Sequence, residues 1–194
     1  MQIMEKIKSI LFLLLSSFLI LNCEAQETPV LAPGLLSSQC TFTPSHMFCD
    51  KQTYIYIHGG LECYITKKLS VTGEIYYNAG ALSHSNTFDY NHSLFFGSNW
   101  HFTKANNDFF LGLHPGLSLT KLNAKNNNIT ETSAGINPLI SAVVGYNFFI
   151  NKYFHFFLDT RYILGDHNYD IHKSLSELKF SAGLGFNLNT KKLQ

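Results

Sequence analysis

The stretch KKLSVTGEIYYNAG, residues 67–80, alternates in polarity with almost no error. Successive side chains of an extended chain point to opposite faces, so Leu69, Val71, Ile75 and Tyr77 fall on one side and Ser70, Thr72, Glu74 and Asn78 on the other. The spacing predicts a β-strand. The fold then depends on whether its apolar face turns inward to a core or outward to lipid.

The same period recurs along the chain. Residues 53–65 set Ile55, Ile57, Leu61, Cys63 and Ile65 against Tyr54, Tyr56, His58 and Glu62, and residues 94–102 set Leu94, Phe96, Trp100 and Phe102 against Phe95, Gly97, Asn99 and His101. Residues 109–120, 139–150, 154–164 and 178–189 divide in the same way, with His114, Asp159, Arg161 and Lys179 on their polar faces. Together with 69–80 this makes seven strands, joined alternately by short turns (66–68, 103–108, 151–153) and longer polar loops (81–92, 123–137, 166–174). That alternation predicts an up-and-down antiparallel meander.

Residues 1–25 read as a secretory signal peptide: Lys6 and Lys8, an apolar run from Ile10 to Leu21, and a small-residue end at Ala25. Cys23 offers a rival reading as a lipoprotein acylation site. Residues 26–194 then form a single domain with clear strands over 53–189. Charged residues are 14% of the chain, against about 25% in an ordinary soluble domain, and aromatics are also 14%. Net charge is +1 without a basic face, which leaves nucleic acid and strongly acidic partners unsupported. Export permits disulfides; Cys40 with Cys49 is a candidate pair, and two unpaired thiols are the alternative. No cysteine spacing suggests a metal, and no cofactor motif is present.

Two exported meanders fit this pattern, a lipocalin-like carrier with its apolar face inward and a membrane barrel with that face outward. The polar face decides between them. It is mostly Gly, Ser, Thr, Asn, Tyr and His with few charges, whereas a soluble exterior is about 25–35% charged. Such a face suits a narrow lumen. On the other face Trp100, Phe102, Phe109, Phe148, Phe154 and Phe186 gather beside the short turns, as in an interfacial aromatic girdle. The expectation is an all-β, up-and-down antiparallel transmembrane β-barrel of eight strands. An even count requires a partner before residue 53, within about 28–42, made short or irregular by Pro29 and Pro33.

With these faces assigned, residues 50–189 resemble the small outer-membrane β-barrels of Gram-negative bacteria, the outer-membrane protein A, X and porin-family types. The sharpest motif is SAGLGFNL, in which Ser181, Gly183, Phe186 and Leu188 match the family's C-terminal insertion signal. The chain departs from the family by continuing through NTKKLQ. The resemblance implies location in the outer membrane, contact with its lipid and lipopolysaccharide, insertion by the barrel assembly machinery, and surface ligands for the loops 81–92, 123–137 and 166–174.

Eight strands enclose an interior that side chains can fill. His58, Glu62, Glu74, His101, His114, Asp159, Arg161 and Lys179 are therefore expected to form a polar lumen network, with a proton or ion path as the alternative. For an enzyme, a lipid A-modifying hydrolase, the sequence offers only His172 with Ser174, and His84 within SHSN; neither pair suits a nucleophile and its base. Asp166, His167, Asp170 and His172 have metal-capable types but read as a solvated loop. The loop at 123–137 is Asn-rich and mobile by composition. The function expected is that of a non-enzymatic barrel serving envelope integrity or surface interaction through its loops.

Overall fold

A computed structural model describes residues 31–82 and 86–190. The signal peptide, Cys23 and His84 lie outside the described residues. Strand β1 runs Leu35–Met47, followed by β2 (Gln52–Tyr64), β3 (Leu69–Ala81), β4 (Phe88–Lys104), β5 (Asn107–Leu122), β6 (Ala134–Phe149), β7 (Phe154–His167), a two-residue β8 (Lys173–Ser174) and β9 (Glu177–Asn189). A one-turn helix, α1 (Ala124–Asn127), lies between β5 and β6. Each long strand pairs antiparallel with its chain neighbours, β7 meets β9, and β1 pairs with β9 to close the ring. Eight strands thus form a barrel, and β8 only extends the end of β7. Closure leaves no unpaired edge, which is what allows a sheet to exist in hydrocarbon.

The eighth strand differs from its expectation. It spans 13 residues and is neither short nor confined to residues 28–42. Pro33 sits before it, in a turn with Gly34 at φ 87°, a left-handed value that suits glycine. The proline inside the strand is Pro44, and there the ladder with β9 is interrupted between Gln39↔Gly185 and Ser45↔Lys179. Pro44 has no N–H to give. The gap is bridged by side chains: the Thr41 hydroxyl donates to the Ala182 carbonyl at 2.7 Å, and Thr43 and Ser181 share a 3.0 Å bond. Pro115 marks a similar gap between β4 and β5, whose pairing skips Phe96 and Gly97.

The candidate disulfide is also corrected. Cys40 and Cys49 are both free and exposed. Cys40 lies within β1, which continues extended to Met47; seven residues at about 3.3 Å carry the chain some 23 Å away, whereas a disulfide needs Cα atoms about 4.4–6.8 Å apart.

Parity along each strand separates two surfaces. Phe42, Leu61, Val71, Ile75, Phe96, Leu113, Ile140 and Leu158 face outward and are exposed. Both strand termini at Leu35 and Asn189 lie at the end with the turns 65–68, 105–106 and 150–153, where Lys67, Lys68, Lys104 and Lys152 cluster. The other end carries the connections 48–51, 82–87, 123–133 and 168–176. Above the belt, the charged residues on the long strands that are not buried, among the described residues, are Asp89 on β4, Lys121 on β5 and Asp166 on β7. The intervening belt runs on β5 from Phe109 to Leu119; at about 3.4 Å per residue and a tilt near 40° it is about 25 Å tall, the height of the apolar band of membrane barrels. Trp100, Phe102, Phe109, Phe148, Phe154 and Phe186 ring its lower margin.

Candidate functional site: a filled lumen

The inward face is polar, and its large side chains fit because glycines oppose them. A Cβ on Gly97 would come within 2.1 Å of the His114 ring and 2.6 Å of the Leu113 carbonyl; one on Gly112 would meet Asn99 at 2.2 Å, and one on Gly185 would meet His155 at 2.1 Å. Gly97, Gly112 and Gly185 are therefore niches for neighbouring side chains. We predict that Gly97→Ala lowers barrel stability by about 1–3 kcal/mol through overpacking, measured by urea unfolding in lipid vesicles. A neutral result would mean that His114 has room to move.

All eight residues expected in the lumen are buried there, and they form three groups. The first centres on Arg161 from β7. Its guanidinium reaches Glu74 through Nη2, donates through Nη1 to Ser141 at 2.7 Å and to His114 Nδ1 at 3.0 Å, and donates through Nε to the Tyr76 hydroxyl at 3.3 Å. Glu74 also accepts from Tyr76 at 2.9 Å and lies 3.1 Å from His58 Nε2, whose ring stacks on Tyr76. The Phe95 ring covers the guanidinium at 4.8 Å, a cation–π contact out of water. In the second group, Lys179 pairs with Glu177 at 3.1 Å and lies over the Tyr56 ring. Glu177 accepts from Ser45 and Tyr56 as well. Asp159 is buried opposite Ser181 across β7–β9, and its Oδ1 has no protein partner.

The third group has the geometry of an acyl-transfer triad. Ser70 Oγ lies 2.8 Å from His101 Nε2, and His101 Nδ1 lies 2.8 Å from Asp108. Its hydrogen bonds point elsewhere. The Ser70 hydroxyl donates to the Glu62 carboxylate, so its proton is directed to Glu62 and not to the imidazole that would have to accept it in an acyl-transfer triad. All three residues are buried beneath an apolar seal of Leu31, Leu35, Tyr64 and Phe149. The arrangement is a charge-assisted clamp between β2, β3, β4 and β5.

The pattern reading missed Ser70, Asp108 and Glu177 as members of these groups, and it missed a plug at the loop end. Met47, Tyr54, Phe88, Leu122, Leu139, Ile163 and Leu175 form one buried apolar cluster there. Its signal was present in Tyr54, Tyr56, Tyr76 and Phe95, large rings on otherwise polar parity, but Phe88 lay in the stretch assigned to the loop 81–92 and Leu175 between the loop 166–174 and the strand 178–189. The loop groups do not converge on a metal. His167 is buried against Thr120, while His172 faces Asp166 at 3.5 Å in the open, and no cluster of three metal-capable side chains exists among the described residues.

A ring of eight strands, an apolar belt and a filled polar interior can be compared with known structures. OprG from Pseudomonas aeruginosa superposes with a TM-score of 0.63 at 11% identity, covering 82% of this chain and 98% of that one. Neisserial surface protein A gives 0.62 at 11% identity, covering 79% and 96%. Ail, the attachment invasion locus protein of Yersinia pestis, gives 0.53 at 13% identity, covering 80% and 99%. This chain has the fold of the small outer-membrane β-barrels. No protein-family model and no curated protein matches its sequence. At such identities the outer-membrane barrel fold is what is shared, on almost wholly different residues.

Proposed function

We propose that this chain is a non-enzymatic outer-membrane barrel, about residues 26–194 after export, whose lumen is a structural plug and whose loop end makes its contacts. It serves envelope integrity or surface interaction. The observation that carries this reading is the lumen, closed by an apolar cluster at the loop end, another at the turn end, and ion pairs between. An interior so filled favours a scaffold over a conduit.

The loops are braced rather than slack, contrary to the expectation from their composition. Asn123 caps α1 by accepting from Asn126 N, and Asn126 and Asn127 donate to the carbonyls of Asn86 and Thr87 at 2.7 and 2.8 Å. Tyr169 bonds both backbone groups of Ile136, and Asp170 accepts from Ser133 N. The asparagines thus tie one connection to the next, giving a rigid face suited to recognition. Ail has also been solved with the heparin analogue sucrose octasulfate; here Lys51, Lys125 and Lys173 are mixed with Glu131, Asp166 and Asp170 at the loop end, which does not favour a polyanion.

An unboiled sample of the outer-membrane fraction is expected to migrate ahead of a boiled one, and the purified barrel to give no steady conductance in a planar bilayer. A uniform channel would overturn the plug. Free periplasmic protein without a mobility shift would restore the lipocalin-like carrier. A change in lipid A mass on expression, lost in Ser70→Ala, would make the buried triad catalytic.

A further inference from the structure

The outward face of β4 holds one histidine in an unusual setting just above the apolar belt. The β3–β4 ladder runs from Leu69↔Trp100 to Tyr76↔Ser93 and stops one position short of His92. There the Asn78 N–H bonds to the His92 Nδ1 at 3.0 Å instead of to a backbone carbonyl. The imidazole is sandwiched between Tyr77, with centroids 4.3 Å apart and planes at 11°, and Tyr90, at 5.1 Å and 4°. Because Nδ1 accepts, the proton of the neutral ring sits on Nε2. The two tyrosines hold the ring plane, and the Nε2–H donor has no protein partner among the described residues.

Register puts a cation on the same outward face of the next strand. Tyr90 pairs with Lys121 across β4–β5, and His92 follows on the same outward face opposite Leu119. Lys121 is the first outward charge above the belt on β5, while Leu94, Leu117 and Leu119 lie immediately below as exposed apolar surface. The nearby acid, Asp89, is engaged by the Asn123 amide at 2.8 Å. An N–H donor held between two amphipathic rings and a lysine thus occupy neighbouring outward positions at the depth where hydrocarbon gives way to headgroups.

We propose that His92 Nε2–H and the Lys121 ammonium bind a phosphoryl group on an anionic lipid of the outer leaflet, with Tyr77 and Tyr90 as the walls of the site. This rests on the barrel spanning the outer membrane. The belt below explains why the phosphate is a lipid's: its acyl chains would lie along Leu94, Leu117 and Leu119. Both donors complement a phosphoryl oxygen, and the membrane margin strengthens such charge-assisted bonds.

The test is native mass spectrometry of the detergent-folded barrel titrated with bisphosphorylated or dephosphorylated lipid A, after a heat-shift gel has verified folding of each variant. Wild type is expected to favour the phosphorylated lipid roughly ten-fold. Lys121→Gln and His92→Asn should each lose most of that preference, since Asn keeps an acceptor near the Nδ1 position but has no donor at Nε2. His92→Gln, whose amide nitrogen reaches the Nε2 position, should retain it. Equal affinity for the two lipids, or a preference that survives both Lys121→Gln and His92→Asn, would overturn the site. Displacement by equimolar inorganic phosphate would overturn the lipid as its ligand. A wild-type chain without any heat shift would instead remove the membrane reading beneath it.

Discussion

Replacing Arg161 with Met is expected to cost the folded barrel about 3–5 kcal/mol, because it leaves Glu74 as an uncompensated buried charge. Arg161 is the only arginine in the chain, and its guanidinium joins Glu74 and Tyr76 on β3, His114 on β5 and Ser141 on β6. Lys offers a single point charge and cannot reproduce that fork, so Arg161→Lys should recover only part of the loss. The double variant Arg161→Met with Glu74→Gln should be less destabilised than Arg161→Met alone, since the unpaired carboxylate is then gone. Urea unfolding in lipid vesicles can follow this through Trp100, the single tryptophan, which faces outward. A cost below about 1 kcal/mol would mean that Glu74 finds other partners or water, and that Arg161 is not the hub of the plug.

Leu113→Arg carries the second large effect. Leu113 is 69% exposed at the middle of the belt on β5, where an arginine should destabilise the barrel by about 2–4 kcal/mol in a bilayer; the same change at Leu119, near the margin, should cost about 0–1. The gradient matters more than either value. Water on that face would make the two substitutions equally mild, within about 0.5 kcal/mol, and would turn the argument for a lipid-facing exterior on its head.

Much of this architecture is visible in the order of residues. Leu69, Val71, Ile75 and Tyr77 do face outward while Ser70, Thr72, Glu74 and Asn78 face the lumen. What could not be read was composition without context. Phe88 stands in polar surroundings and looked like a loop residue, and Leu175 fell between a loop and a strand, yet they close the lumen with Met47, Leu122 and Ile163. The asparagines of 123–127 suggested mobility, but each finds a capping or bridging partner across a loop. Cys40 and Cys49 looked close in number, and an extended β1 holds them apart.

The sequence by itself determined which side chains share a face, because in an extended chain that depends only on parity, a property of each residue's own backbone. It also determined that one face is too sparsely charged for water. Only the tertiary structure decided who meets whom. Arg161 and Glu74 are 87 residues apart, and Thr43 and Ser181 are 138 apart; they touch because β1 returns to β9 and the ring closes. Such meetings depend on register and curvature around the whole barrel, and no local pattern encodes them.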